Sequence, residues 1–184
     1  MAERILHVVT NTAHYDDPTH PTGLWLSELT HAWHVFEEHA FQQTIVSPNG
    51  ALSPIEPRSL KFPNYDKTAK AWRANPKIFE RGGVVSSVCH GYCGLLNTRL
   101  SDGSYLVARR NMTGFTWREE VLARVNKLVP YNAEKKLKKR GASYKKAKLP
   151  FVSYTVVDGN LVTGQNPGSA KETARKIVAV LGQS

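Results

Sequence analysis

Val84-Val85-Ser86-Ser87-Val88 runs without a break into Cys89-His90-Gly91, and this junction constrains the chain more than any other segment. The β-branched run reads as a buried strand. Gly91 marks a sharp turn, and Leu95-Leu96 follow at helical spacing. The segment therefore reads as strand, elbow and helix start, with a thiol at the corner. A cysteine at a helix N-terminus feels the positive end of the helix dipole, which favours thiolate over thiol. An elbow of this kind also lifts its side chain above the sheet edge, where a nucleophile is useful. The same residues fit a small buried cysteine in an ordinary βα unit. On the residues alone both readings stand.

Similar punctuation organises the rest of the chain. Ile5-Leu6-His7-Val8-Val9-Thr10 predicts a buried strand, followed by a polar loop over Asn11–Gly23. Trp25, Leu29, Ala32, Trp33 and Phe36 then recur at the spacing of an amphipathic helix. Thr44-Ile45-Val46 predicts a second strand, closed by Ser47-Pro48-Asn49-Gly50. Pro48, Pro54, Pro57, Pro63 and Pro76 predict an extended surface excursion over Ala51–Asn75. Asn111–Phe115 reads as another strand end and Trp117–Val125 as a short helix. Tyr154–Val157 and Leu161–Thr163 flank Asp158-Gly159-Asn160, a hairpin signal. Ser169-Ala170-Lys171-Glu172 reads as a capping box opening a last helix, with Ala174, Ile177, Val178 and Leu181 on one face. Strands alternating with helices predict an α/β fold with a mainly parallel sheet, and residues 1–184 suit a single domain.

Composition excludes several classes. With 41% hydrophobic and 22% charged residues, disorder is not expected. No apolar run approaches the ~20 residues that span a bilayer, so no membrane association is expected. Two cysteines make no disulfide framework, which predicts a reducing, cytoplasmic setting. Much of the net charge of +10 lies in Glu134–Arg140 and Lys145–Lys148. Aromatic residues do not alternate with those lysines, and no nucleic-acid-binding motif is present. The run reads as a solvated helix face anchored by Leu137, and no nucleic-acid partner is expected.

Functional groups in an open α/β sheet gather at the carboxyl ends of the strands. Glu28 borders the inward stripe of the first helix. It reads either as a carboxyl bonded to the Cys89 sulfur or as an early-helix glutamate favoured by the dipole. His90 is adjacent to Cys89 and is a candidate general base, with Glu119 or Glu120 as the carboxylate that would orient it. Cys93, one turn beyond Cys89, reads as a second small buried residue. Glu28, His31 and His34 share a helix face with His14 and His20 upstream, but no metal-binding spacing supports a zinc site. No metal is expected from these residues.

Five stretches, taken together, resemble the ThiJ/PfpI superfamily, which is related to class I glutamine amidotransferases. They are Thr22–Leu29, Val46–Gly50, Val88-Cys89-His90-Gly91, Thr113-Gly114-Phe115 with Glu120 behind it, and Val162–Pro167. The branch is that of heat-shock chaperones with glutathione-independent glyoxalase (glyoxalase III) activity. The resemblance implies a flavodoxin-like, mainly parallel sheet flanked by helices. It also implies Cys89 as nucleophile, Glu28 as the carboxyl that tunes its sulfur, His90 as the triad histidine and Glu120 as its orienting acid. The implied reaction converts methylglyoxal to lactate with no metal or organic cofactor, and the branch is also linked to protein deglycation. The implied partners are a small aldehyde substrate, a second copy in a homodimer and, for a holdase, unfolded client proteins.

Two departures bear on these implications. Family members carry a further helix, strand and glycine-rich loop between the excursion and the elbow strand. Here Ala71–Pro76 runs straight into Lys77–Gly83, so roughly forty to fifty residues, about one and a half βα units, are missing. That loop would supply one N–H of an oxyanion hole, and losing such a donor typically costs about 10²–10³ in rate. Tyr92, moreover, stands where a proline often follows the elbow glycine. The departures leave two further readings beside the enzyme: a catalytically impaired holdase of the same fold, and a cysteine amidase or peptidase.

Overall fold

β1 (Arg4–Val8) and β2 (Gln42–Val46) pair in parallel, in register from Arg4↔Gln42 to Val8↔Val46. The crossover between them is α1 (Leu26–Glu38), whose buried face carries Leu26, Leu29, Val35 and Phe36. This is the helix and strand pair that the apolar spacing predicts, but β1 is not the buried strand expected, since Leu6 and Val8 are exposed. The computed structural model describes residues 3–50, 53–61, 84–100 and 102–182. They fall into two compact units, Met1–Gly83 and Val84–Ser184. The segment where helix, strand and loop are expected to be missing lies within 62–83, outside the described residues.

The described part of the proline-rich excursion departs from expectation. Leu24 bridges Ile55 in parallel, and the Leu24 N–H donates to Pro54 O at 2.8 Å. A Cβ on Gly23 would lie 2.3 Å from Pro54 O, so the close approach requires glycine there. Glu56 and Ser59 are buried, and Arg58 binds both Glu56 oxygens, at 2.8 and 2.9 Å. Residues 53–61 are thus packed structure rather than a surface excursion. A buried glutamate satisfied by Arg58 and Thr22 is what holds them in place.

In the second unit β3 (Val85–Val88) pairs in parallel with β7 (Leu161–Gly164), which pairs antiparallel with β6 (Thr155–Asp158). β7 is central and buried at every residue. The β6–β7 turn is Gly159-Asn160, with Gly159 at φ +59°, the glycine turn the sequence predicts. β4 (Asn111–Met112) and β5 (Ser143–Tyr144) form a short parallel pair. Asp158 latches β4 to the hairpin corner by accepting from the Asn111 N–H at 2.7 Å. That bond, with further ones from the Asn111 amide and Arg110, holds its carboxyl below the usual carboxylate range. Parallel pairs dominate, as an α/β fold requires.

α2 (Trp117–Leu122), α3 (Ala133–Lys139) and α4 (Ala170–Leu181) complete the unit. In α3 only Leu137 and the first-turn residues are buried, and the lysines face outward, as the charge pattern predicts. Glu134 gathers Lys138 and Lys146. Leu137 joins the main core with Tyr92, Leu96, Val107, Met112, Phe115 and Leu161, and Cys89 sits in the same cluster.

Two local expectations are corrected. The residues after the elbow form a seven-residue 3₁₀ run, Cys89–Leu95, not an α-helix. Gly91 and Gly94 are poor helix formers, and the tighter turn lets Tyr92 point into the core. Ser169 makes no side-chain cap to α4. Its hydroxyl instead accepts from the Tyr154 and Asn166 N–H groups, at 3.1 and 3.3 Å, around a 3₁₀ turn at Pro167–Ser169. Reciprocal capping boxes join Asn166 with Ser169 at that 3₁₀ turn and Thr116 with Glu119 at the start of α2.

Candidate active site

Cys89 directly follows β3 with φ +54°, the left-handed region that costs a non-glycine residue about 1 kcal/mol. Its carbonyl accepts the Phe115 N–H at 3.2 Å, which ties the elbow to the end of β4. The residue is only 6% exposed, so the sulfur sits at the core's rim rather than in open solvent. A strained corner residue held by both flanking segments is the nucleophile-elbow geometry.

His90 Nδ1 lies 3.3 Å from Cys89 Sγ, and His90 Nε2 lies 2.8 Å from Glu120 Oε1. A carboxylate can only accept, so Nε2 carries the proton and Nδ1 is left to take one from the thiol. The Glu120 side chain is nearly buried, and among the described residues its Oε2 has no hydrogen-bond partner. One ring face of His90 meets Phe115, with centroids 4.8 Å apart. The structure thus brings together Cys89, His90 and Glu120. Glu28 belongs to the other unit, half-buried in the first turn of α1.

The two adjacent acids diverge completely. Glu119 is fully buried and accepts from Thr116 N and Oγ1, Phe151 N, Gln165 Nε2 and Asn166 Nδ2, all within 3.0 Å. It is a structural node, and it absorbs the Gln165-Asn166 pair as well. Thr113-Gly114-Phe115 is positioned just as firmly. The Thr113 N–H donates to Thr163 Oγ1, and the Tyr92 and Tyr144 hydroxyls donate to Phe115 O and Gly114 O. The Tyr92 ring lies flat on Gly114, where a Cβ would come within 2.1 Å of it. Tyr92 thus brings to the elbow a hydroxyl that fixes the Phe115 carbonyl.

Both cysteines are thiols rather than halves of a disulfide. Burial pushes the Cys93 thiol up to about 11, so it stays protonated at neutral pH. Cys93 is half-buried rather than fully buried as expected, packed against the edge of the main core. Among the described residues no group of three His, Cys, Asp or Glu is arranged to hold a metal ion. No helix among them is long and apolar enough to cross a membrane.

An α/β fold with a thiol, an imidazole and a carboxylate in line at a strand's carboxyl end defines a class of cysteine-dependent sites. The DJ-1/PfpI family profile matches residues 61–180, and the chain belongs to that family. A probable glutathione-independent glyoxalase of Schizosaccharomyces pombe is 35% identical over 125 residues, 64% of this chain and 48% of that protein. The Rapid Encystment Protein 24 KDa of Francisella tularensis has a solved structure with a TM-score of 0.88 and 26% identity. The match covers 97% of this chain and 99% of that one. The glyoxalase III structure from Candida albicans shares the fold, with a TM-score of 0.75 at 23% identity over 97% of each chain. The chain spans about half the length of the curated relatives it matches.

Proposed function

We propose that this chain converts methylglyoxal to lactate without glutathione, with Cys89 as the nucleophile. The observation that carries the reading is the unbroken line from Cys89 Sγ through His90 to Glu120, at 3.3 and 2.8 Å. His90 Nδ1 takes the thiol proton, and the thiolate adds to the aldehyde carbon to give a hemithioacetal. Glu120 keeps the imidazole oriented and stabilises the imidazolium formed. The hydrogen on the former aldehyde carbon then leaves as a proton, and the neighbouring carbonyl becomes an enediol. Reprotonation at the second carbon gives a thioester, which water cleaves to lactate and the regenerated thiol. One carbon is oxidised as its neighbour is reduced, so the balance needs only water.

The role that the resemblance implies for Glu28, tuning the sulfur, belongs to the same reading. So does a reducing, cytoplasmic setting, since the mechanism requires a reduced thiol. The test is D- and L-lactate formed from methylglyoxal without glutathione, comparing the parent with Cys89→Ala. Lactate from the parent alone is expected. A folded parent that makes none refutes the glyoxalase and puts the holdase reading ahead.

A further inference from the structure

Residues 145–152 form a loop pinned from beneath by buried groups. The Lys145 N–H donates to Met112 O, the Ala147 N–H to Gln165 Oε1 and the Phe151 N–H to Glu119 Oε1, each at 2.8 Å. Asn166 Nδ2 closes the set by donating to Val152 O at 2.8 Å and to Glu119 Oε1 at 2.9 Å. In the middle stands Phe151 at φ +61°, a backbone state that a bulky residue adopts only when its surroundings over-determine it.

The forced backbone lays the Phe151 ring against Phe115, with centroids 6.1 Å apart, and Phe115 in turn lies against His90. Phe151 remains 49% exposed, so burial alone gives little reason for a strained phenylalanine. Glycine would keep the N–H bond to Glu119 and remove the strain. The feature that only phenylalanine supplies here is the ring. His90 shows why a ring is needed. Its two hydrogen bonds hold the imidazole at Nδ1 and Nε2, and the contact with Phe115 holds the body of the ring. That contact keeps its place only while Phe115 is itself backed.

We propose that Phe151 is a positioning residue of the thiol site, its ring backing Phe115 so that His90 is held in line with Cys89. The proposal rests on the reading of Cys89 as the nucleophile. The test is the iodoacetamide rate at Cys89 at pH 7, with Cys93 in the same molecule as reference, each cysteine resolved by peptide mass. The proteins compared are the parent, Phe151→Ala, Phe151→Gly and Phe151→Tyr. The alanine and glycine variants should slow by about tenfold, short of the ~10²-fold that a 1 Å displacement costs. Phe151→Tyr should restore the parent rate. Phe151→Gly should melt above Phe151→Ala, yet react as slowly.

Rates that rank with melting temperature, or ringless variants as fast as the parent, overturn the proposal while the nucleophile reading survives. A parent whose Cys89 reacts no faster than Cys93 overturns both.

Discussion

Glu119→Gln is the substitution whose cost the structure specifies most closely. The side chain keeps its size, but one acceptor oxygen becomes an NH₂. On the Oε1 side that NH₂ would face three donors, from Phe151, Gln165 and Asn166. It therefore goes to the Oε2 side, where the Thr116 hydroxyl can turn to accept but the Thr116 N–H loses its partner. A buried unsatisfied N–H costs about 1–3 kcal/mol, and each of the three remaining bonds loses about 1 kcal/mol with the charge. Relief from burying a carboxylate offsets part of this. The net expectation is a loss of about 3 kcal/mol, against the ~5–15 kcal/mol typical of a domain. Urea unfolding at pH 7, fitted with a common slope, measures it. A loss under about 1 kcal/mol would refute the reasoning, because the node would then carry no more than one ordinary hydrogen bond. Glu120→Gln is the internal contrast. Its hydrogen bond among the described residues is to His90, so the change should alter stability by less than about 1 kcal/mol while slowing Cys89.

The His7 ring packs on Trp33 at 5.5 Å and Phe36 at 5.9 Å, and burial holds its imidazole below the usual range. The unfolded chain thus binds the proton more readily, so stability is full above pH ~6.5 and falls as the pH drops below it. Melting temperatures at pH 7.5 and 5.5 should show that slope in the parent and a flatter one in His7→Phe. Arg124, exposed just past the end of α2, has φ +58°. Arg124→Gly should therefore raise stability by about 0.5–1 kcal/mol, read as a higher urea midpoint.

Much of this molecule is legible in its sequence where a single periodicity decides. The α1 helix, the Gly159 hairpin and the elbow strand reach the structure as read, although the buried face of α1 takes in Leu26 and Val35 while Trp25, Ala32 and Trp33 stay half-buried. What failed was competition between equivalent partners. Ser169 has the right spacing to cap α4, but Asn166 and Tyr154 claim its hydroxyl first. Glu119 and Glu120 sit about 100° apart on a helix, and spacing cannot say which one faces His90. Only the resemblance chose Glu120, and the structure puts that carboxylate on the imidazole. Phe151 gave no signal at all, because its left-handed backbone is imposed by side chains drawn from two other segments. The Thr116-x-x-Glu119 pattern was available, but it marks a helix start and not a carboxylate shared by five donors.

The left-handed backbone at Cys89 sets heat resistance against reactivity at one codon. Glycine there would relieve about 1 kcal/mol of torsional cost, and asparagine would tolerate the turn better than cysteine does. Either change erases the sulfur. Selection for heat resistance alone would weigh that relief only against the packing Cys89 gives the core, and would be blind to the thiol.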